Sequence, residues 1–268
     1  MTASLNVFLT GASSGIGAAL AREFAARGAT LGLVARRQPL LDELAAALPG
    51  AHHTYACDVT DRDALVAAAR AFEAATGGTD VVIANAGISE GVLTEYYEDL
   101  DAFARVMDTN VLAMAHTFHP FIAPMRARGR GTLVGMASVA GIRGLPGSEA
   151  YCASKSAAIT YCESLRVNLR KAGVRVVTIL PGFVRTPLTA KNPYAMPFLM
   201  DAPDFARVAV DKMLAGRSYT VIPWQMGVVA KLLRLLPNAL FDRAFGNRPY
   251  KPRKAATASP PPGAEPPR

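Results

Sequence analysis

Short apolar segments alternate with amphipathic segments along most of this chain, starting near its first residue. The apolar segments have the length of buried β-strands, and the amphipathic ones have the repeat of helices that pack along one face. Strands that alternate with helices in this way predict one parallel sheet with helices on both faces, because a parallel strand pair needs a crossover connection. Seven strands are predicted, over residues 5–9, 30–35, 53–57, 81–84, 132–137, 174–180 and 219–222.

The helices between these strands are predicted over residues 15–27, 39–48, 62–76, 100–128 and 150–172. Pro120 and Pro124 are expected to kink or end the fourth helix, because proline lacks the backbone donor that a helix interior needs. No linker divides the chain, so residues 1–247 are predicted to form a single α/β domain. From Arg248 the composition changes to Pro, Lys, Arg and Ala, and the basic tail 248–268 is expected to be disordered.

Composition places the bulk of the chain among globular proteins. Hydrophobic residues make up 51% of the 268, and no apolar run reaches the ~18 residues of a membrane span. Three cysteines without a Cys-x-x-Cys pair, and no signal peptide at the N-terminus, predict a reducing, cytoplasmic location. The net charge is +8, of which residues 217–268 carry +7, since they hold 9 Lys and Arg against 2 Asp and Glu.

A glycine-rich turn stands between the first predicted strand and the first predicted helix. It reads Thr10-Gly-Ala-Ser-Ser-Gly-Ile-Gly17, and its glycines permit a tight turn whose backbone amides can approach a pyrophosphate. The helix that follows adds the positive end of its dipole to such an anion site. This position predicts a dinucleotide-binding turn, with a plain strand–helix connection as the alternative. The predicted contact residues are Gly11, Ser13, Ser14, Gly15, Ile16 and Gly17.

The second predicted strand ends in Arg36 and Arg37, where NAD-binding folds usually carry an acid that holds the ribose hydroxyls. Gly17 and Arg37 are 20 positions apart, which is the spacing expected of that acid. Guanidinium groups cannot accept hydrogen bonds from hydroxyls, but they suit a 2′-phosphate. The pair therefore favours NADP(H), with NAD(H) as the alternative cofactor and solvated surface charges as the alternative role for the arginines.

Tyr151 and Lys155 stand four residues apart in a predicted helix, so a phenol and an ammonium share one face. The ordinary pKa of a tyrosine is about 10, and a nearby cation lowers it by favouring the phenolate. A tyrosine tuned in this way can donate and accept a proton during turnover. With Ser138 upstream, the pair forms the candidate catalytic set.

These motifs occur in the order and at the spacings of the short-chain dehydrogenase/reductase family, which the chain resembles over about residues 5–222. The resemblance implies a doubly wound sheet, the Rossmann fold, with the cofactor at the carboxyl ends of its strands. It also implies adenine contacts from Asp58 and Val59, and contacts along the cofactor from 85–87. The further matching elements are Asp58-Val59, Asn85-Ala86-Gly87, Asn110 and Pro181-Gly182. The resemblance also implies that Pro181-Gly182 and Thr186 lie at the nicotinamide and that Val184 contacts the cofactor.

The resemblance further implies the roles of the catalytic set. Ser138 would donate a hydrogen bond to the substrate carbonyl oxygen, which Tyr151 would protonate or, in the reverse direction, deprotonate. Lys155 would lower the pKa of the tyrosine and hold the nicotinamide ribose, while Asn110, in the fourth helix, would anchor a water linking Lys155 to solvent. This chemistry predicts an NADP-dependent oxidoreductase that interconverts a carbonyl compound and a primary or secondary alcohol. The alternative is a catalytically idle NADP-binding sensor or scaffold.

Two segments outside the motifs bear on substrate and partners. By the resemblance, residues 183–205 form a lid over the substrate. Its apolar side chains at Met196, Phe198, Leu199 and Met200 favour a hydrophobic substrate, with ordinary packing against the body as the alternative. The helical extension 224–246 is too apolar to stand alone, which predicts a lid or oligomer contact, with peripheral contact to an anionic membrane as the alternative. The resemblance implies a homodimer or homotetramer. No metal site and no nucleic-acid contact are predicted.

Overall fold

The structure, a computed structural model, describes residues 5–190, 192–246, 249 and 251–253. Its strands are β1 (Asn6–Thr10), β2 (Thr30–Ala35), β3 (His53–Ala56), β4 (Val81–Ala84), β5 (Gly131–Met136), β6 (Val174–Pro181), β7 (Val184–Arg185), β8 (Met200–Asp201) and β9 (Tyr219–Ile222). Seven of them form one parallel sheet in the order β3-β2-β1-β4-β5-β6-β9, and β7 pairs with β8 outside it. The predicted doubly wound α/β fold is confirmed, and the seven predicted strands match the observed ones to within one residue.

Helices cover both faces of the sheet. They are α1 (Gly15–Ala26), α2 (Gln38–Ala46), α3 (Arg62–Thr76), α4 (Asp99–Met107), α5 (Ala113–Arg128), α6 (Glu149–Leu169), α7 (Ala202–Leu214), α8 (Trp224–Leu235) and α9 (Asn238–Phe245). Because successive strand residues point to opposite sides, Val7 and Leu9 join a core with α1, α2 and α7, whereas Phe8 joins a second core with α3, α5 and α6. Within the described ranges, none of the helices has the length and hydropathy needed to span a bilayer.

The prediction of a single helix over residues 100–128 is wrong. A π-helical turn at Asp108–Leu112 separates α4 from α5. Pro120 and Pro124 lie inside α5, which continues to its end at Arg128. The physical reason is tertiary packing: Phe121 is fully buried on the inner side of α5, and burial of such side chains outweighs the local cost of proline.

The two halves of the sheet meet between β1 and β4, and the carboxyl ends of these strands open the crevice in which such sheets bind ligands. The segments after the two strands pass so close that side chains have no room between them. A β-carbon at Gly11 would lie 2.8 Å from the Ala86 Cα, and one at Gly17 would overlap the Gly11 carbonyl and lie 2.8 Å from the Asn85 side-chain nitrogen. Close backbone approach is therefore what requires glycine here.

We expect Gly17→Ala to lower the free energy of unfolding by about 1–2 kcal/mol, because overlap with backbone outweighs the gain in helix propensity. Urea unfolding followed by circular dichroism measures this difference. Gly144→Ala is the matched control, since a β-carbon there meets nothing within 4 Å. Its effect should stay within about 0.5 kcal/mol, and equal losses in the two variants would contradict the close approach.

Residues 251–253, which we call the strap, lie against the body of the domain. The Arg253 guanidinium donates to the Asp99 carboxylate at 2.7 Å and lies 3.3 Å from the centroid of the Tyr96 ring. Asp99 is only 2% exposed, so the ion pair is shielded from water. The strap belongs to the tail that was expected to be disordered, and the structure places it against the body, where a buried acid binds its arginine. Residues 248, 250 and 254–268 of the same prediction lie outside the described part of the chain.

The strap reaches two walls of the crevice. The Lys251 ammonium donates to Ser89 Oγ at 2.9 Å and to the Leu188 carbonyl oxygen at 3.5 Å. Gly91 forms a parallel bridge with Arg253, and a β-carbon at Gly91 would lie 2.6 Å from the Pro252 carbonyl oxygen. Ser89 follows β4 and Leu188 follows β7, so the strap connects segments that come from different parts of the sheet.

Arg253→Ala is expected to destabilise the fold in a pH-dependent way. The hydrogen bond from Arg253 lowers the pKa of Asp99, against the opposing effect of burial. Such a contact contributes stability above the ordinary carboxyl pKa and loses it as pH falls through the lowered pKa. The difference in melting temperature between wild type and variant should therefore shrink in acid.

Thermal denaturation across the acidic range measures this effect. Arg207→Ala, which removes an exposed ion pair with Asp204 on α7, serves as control and should leave the pH profile unchanged. A melting difference for Arg253→Ala that stays constant from neutral pH into acid would argue against the ion pair as the anchor of the strap.

Candidate active site

The predicted site residues converge on one cleft at the carboxyl ends of the sheet strands. The cleft encloses about 740 Å³, a volume that suits a small-molecule or cofactor site. One predicted residue, Asn110, does not line it. The predicted residues that do are Gly11, Ser13, Ser14, Gly15, Ile16, Gly17, Arg36, Arg37, Asp58, Val59, Asn85, Ala86, Gly87, Ser138, Tyr151, Lys155, Pro181, Gly182, Val184 and Thr186.

The glycine turn forms one end of the cleft. Gly11 and Gly15 adopt left-handed backbone angles, with φ of +68° and +56°, which residues with side chains rarely adopt. Ser14 precedes α1 in an extended conformation, and its side chain does not cap the helix. The first backbone N–H groups of α1 are therefore left for a ligand, and the helix dipole favours an anion there.

A buried hydroxyl joins this turn to the end of β4. The Thr10 Oγ1 accepts from the backbone N–H groups of Asn85, at 3.1 Å, and Ala86, at 3.2 Å. The Asn85 side chain in turn donates to the Thr10 carbonyl oxygen at 3.0 Å. Because Thr10 is 1% exposed, these bonds are protected from competition with water. Sequence reasoning quoted Thr10 only as the start of the glycine motif and missed this contact.

Two guanidinium groups lie at the far edge of the cleft, where β2 ends. Arg37 donates to Ser13 Oγ in the glycine turn at 3.1 Å, and Arg36 lies 3.7 Å from an Asp58 carboxylate oxygen. Both side chains are exposed, so the long Arg36–Asp58 contact is weak. Burial raises the pKa of Asp58, but hydrogen bonds from Thr60 and the charge of Arg36 outweigh it, and the net pKa is lowered. The arrangement can therefore attract a phosphate beside the glycine turn.

Helix α6 places Tyr151 and Lys155 one turn apart, facing the cleft below the end of β5. Ser138 follows β5 and hydrogen-bonds to the Tyr151 phenol, while its Oγ also accepts from the Ala140 backbone N–H at 3.2 Å. The Lys155 ammonium is 4% exposed and donates to the Met136 carbonyl oxygen at 2.8 Å. It lies 5.8 Å from the centroid of the Tyr151 ring. An acid, a hydroxyl donor and a cation thus share one wall of the cleft.

Burial, and not the ammonium, dominates the pKa of the tyrosine. The pKa of Tyr151 is raised to about 12: burial is the largest cause, the hydrogen bond with Ser138 opposes it, and the neighbouring Cys152 and Tyr194 add to the rise. Burial also lowers the pKa of Lys155 to about 8. The net pKa of Tyr151 is therefore raised and not lowered as expected, because burial outweighs the effects of the groups around the phenol. At neutral pH Tyr151 is a protonated phenol, the form that donates a proton.

Asn110 lies behind the cleft wall, in the π-helical turn and not in a regular helix as expected. Its Oδ1 accepts from the Ile88 backbone N–H at 2.8 Å, and its Nδ2 donates to the Ile88 carbonyl oxygen at 3.0 Å and to Ser154 Oγ at 2.9 Å. A β-carbon at Gly87 would lie 3.2 Å from the Asn110 Oδ1 and 3.5 Å from the Lys155 Nζ. Asn110 therefore ties the chain after β4 to α6 and holds the surroundings of the lysine.

Several residues of the cleft were missed by sequence reasoning. Arg105 and Glu90 form an ion pair of 2.8 Å at its wall. Besides the predicted Val184 and Thr186, the lid contributes Pro187, Leu188 and Thr189 to the lining, but none of the four apolar residues on which a hydrophobic substrate was predicted. Tyr194 of the lid is close enough to Tyr151 to raise its pKa. No sequence signal marked these positions, because they follow the motifs without belonging to them.

Comparison with known proteins agrees with this geometry. A family model described as short chain dehydrogenase matches residues 5–196. An uncharacterized oxidoreductase from Myxococcus xanthus is 42% identical over 239 residues, which cover 88% of this chain and 94% of the relative. A short-chain dehydrogenase from Streptomyces avermitilis superimposes with a TM-score of 0.76 at 28% identity, over 86% of this chain and 92% of that one.

The L-sorbose reductase of Gluconobacter frateurii, solved with NADPH and L-sorbose, superimposes with a TM-score of 0.74 at 25% identity, over 82% of this chain and 95% of that one. The family match covers well over half of the chain, and the sheet order, glycine turn and tyrosine–lysine pair are in place. The chain therefore belongs to the short-chain dehydrogenase family and is an oxidoreductase of that family.

Proposed function

We propose that this oxidoreductase uses NADP(H) to interconvert a carbonyl group and a primary or secondary alcohol. The observation that carries the proposal is the hydrogen-bonded pair of Ser138 and Tyr151 beside the buried Lys155, in a cleft that also contains the glycine turn. A proton donor and a hydroxyl donor converge where a substrate oxygen would gain negative charge.

The residues of the cleft fit a dinucleotide. The turn at Gly11 and Gly15 offers backbone donors and a helix N-terminus to a diphosphate, and a β-carbon at Gly11 would close the approach. When bound, the nicotinamide cofactor supplies or takes up the hydride. The predicted cofactor contacts from Asp58 and Val59 at one end to Gly182 at the other all line the same cleft, which supports this assignment.

Each catalytic residue then has a defined task. Tyr151, with its raised pKa, donates its proton to the substrate carbonyl oxygen and recovers it in the reverse direction. Ser138 donates a hydrogen bond to the same oxygen and keeps the phenol in position. Lys155, held by the Met136 carbonyl oxygen, is mostly protonated at neutral pH, since its pKa is about 8. Its positive charge stabilises the anionic tyrosine that proton transfer leaves behind.

The preference for NADP(H) rests on the two arginines after β2. Arg37 is already directed at Ser13 of the glycine turn, and Arg36 makes only a long contact with Asp58. Both can turn to a 2′-phosphate, for which two guanidinium groups are suited donors. The NADPH bound by the similar L-sorbose reductase supports this choice. NAD(H) is the alternative cofactor.

The remaining expectations on partners follow from the family. We propose a homodimer or homotetramer built on α4, α5 and α6, which fits the exposed Leu112 and Val167, 52% and 65% exposed. A cytoplasmic location is proposed from three cysteines, all of them free. A hydrophobic carbonyl or alcohol substrate is proposed, with Ile88 and Leu188 as its apolar neighbours in the cleft. The competing function, an idle NADP-binding sensor, gives no reason for the Ser138–Tyr151 pair.

Tyr151→Phe should lower kcat by about 100- to 10,000-fold, the usual contribution of a positioned proton donor. NADPH binding should persist, because the ring remains in place and only the hydroxyl is lost. A screen of aldehydes, ketones and alcohols with NADPH or NADP finds the assay substrate, and nicotinamide absorbance then gives the rates. Tyr219→Phe, on β9 and 43% exposed, is the matched control and should retain full turnover. Undiminished turnover in Tyr151→Phe would remove the proposed acid.

Replacing Arg36 and Arg37 together with alanine should weaken NADPH binding about 10- to 100-fold, the value of one or two charge-assisted hydrogen bonds. NADH binding should change by no more than about threefold, since it lacks the phosphate. Titration of cofactor fluorescence gives both dissociation constants. Arg70→Ala, an exposed arginine on α3, is the control for a general loss of positive charge. An equal loss for both cofactors would contradict the assignment.

A further inference from the structure

Helix α8 is fixed to the body on one side. Met226 and Ala230 are buried, and Met226 packs so closely on Gly182 that a β-carbon there would lie 2.7 Å from its side chain. Arg143, in the segment after Ser138, donates to the carbonyl oxygens of Leu233 and Leu236 at 2.9 Å each. The outer face of α8 is thereby held in a constant orientation beside the cleft.

That outer face carries an apolar stripe made of Trp224, Val228, Leu232 and Leu235. These side chains are 71%, 48%, 63% and 80% exposed. Their spacing of four, four and three residues places all of them on one face of a helix. Leu240 on α9, 56% exposed, adds a further apolar side chain to the same extension. Large apolar side chains exposed together mark an interaction surface.

Positive charge accompanies the stripe. At about 100° per residue, Lys231 and Arg234 fall on one flank of it, and both are exposed. Residues 217–246 contain 4 basic side chains and 1 acidic one, whereas residues 1–216 are close to neutral with 20 basic and 19 acidic. Residues 217–246 therefore carry a net charge of +3, and residues 247–268 carry a further +4 of the total of +8.

We infer that the stripe and the basic flank of α8 dock on the anionic surface of a lipid bilayer. An interfacial helix of this kind lays aromatic and aliphatic side chains into the headgroup boundary, while lysine and arginine meet lipid phosphates. The contact is peripheral, with α8 in the plane of the interface. A second copy of the chain suits this face less well, because a two-fold contact would bring Lys231 and Arg234 of both copies together.

Trp224 is the single tryptophan of the chain and belongs to the stripe, so its fluorescence reports on this docking. Full-length protein is mixed with vesicles of phosphatidylcholine containing about 30 mol% phosphatidylglycerol, and with vesicles of phosphatidylcholine alone. We expect the protein to pellet with the anionic vesicles at low salt, with a blue shift of tryptophan emission and quenching by brominated lipid chains. Binding should weaken at about 0.5 M NaCl, where the charges are screened.

Two sets of variants separate the apolar and the electrostatic contributions. Leu232→Glu with Leu235→Glu should abolish pelleting and the blue shift while keeping Trp224 as reporter. Lys231→Ala with Arg234→Ala should weaken binding to anionic vesicles about 10- to 30-fold. Tyr97→Glu is the control for an added acidic side chain, because it places one glutamate at an 86% exposed position away from α8 and should bind as wild type. Unchanged NADPH affinity reports that each variant is folded.

Two results would overturn the inference. One is wild-type protein that stays in the supernatant with anionic vesicles at low salt. The other is a blue shift that needs no lipid, rises with protein concentration and disappears in the Leu232→Glu, Leu235→Glu variant together with a drop in mass by analytical ultracentrifugation. That second result would assign the stripe to a contact between copies of the chain.

Discussion

The shape of the cleft depends on a buried contact between two chain segments, the turn after β1 and the turn after β4. The Thr10 hydroxyl and the Asn85 amide bind the segments to each other, and Gly11 and Gly17 let their backbones touch. Because one segment carries the glycine turn and the other leads to Gly87, the spacing between the turn and the wall that carries Ser138, Tyr151 and Lys155 is set here.

Burial sets the protonation of the wall of the cleft that carries Tyr151 and Lys155. It favours the neutral forms of both Tyr151 and Lys155, raising the pKa of the first and lowering that of the second. Both groups are unfavourable to bury, and each is hydrogen-bonded to an uncharged oxygen. The Tyr151 phenol is hydrogen-bonded to Ser138, and the Lys155 ammonium donates to the Met136 carbonyl oxygen. The lysine therefore acts on the tyrosine through its charge at a distance and through the developing phenolate, and not through a direct contact.

The strands and the sheet could be predicted from sequence, because apolar periodicity marks them. In the cleft, the glycine turn, the two arginines after β2 and the Tyr151–Lys155 pair follow from local patterns, whereas the other predicted lining residues came from the family resemblance. What could not be predicted depends on tertiary contacts. Burial of Phe121 stabilises α5 as a continuous helix despite its two prolines. Burial also raises the pKa of Tyr151, which was expected to be lowered. The strap escaped prediction because its anchor, Asp99, is 154 positions from Arg253 and nothing local links them.

The strap also fixes where the last described residues lie on the body of the domain. Arg253 is held beside the cleft opening, at the carboxyl edge of the sheet, whereas the described chain begins just before Asn6, at the opposite edge. A purification handle or surface linker attached ahead of Asn6 therefore leaves the opening clear. The same attachment directly behind Arg253 is tethered next to the cleft opening, so immobilisation chemistry for this protein belongs ahead of Asn6.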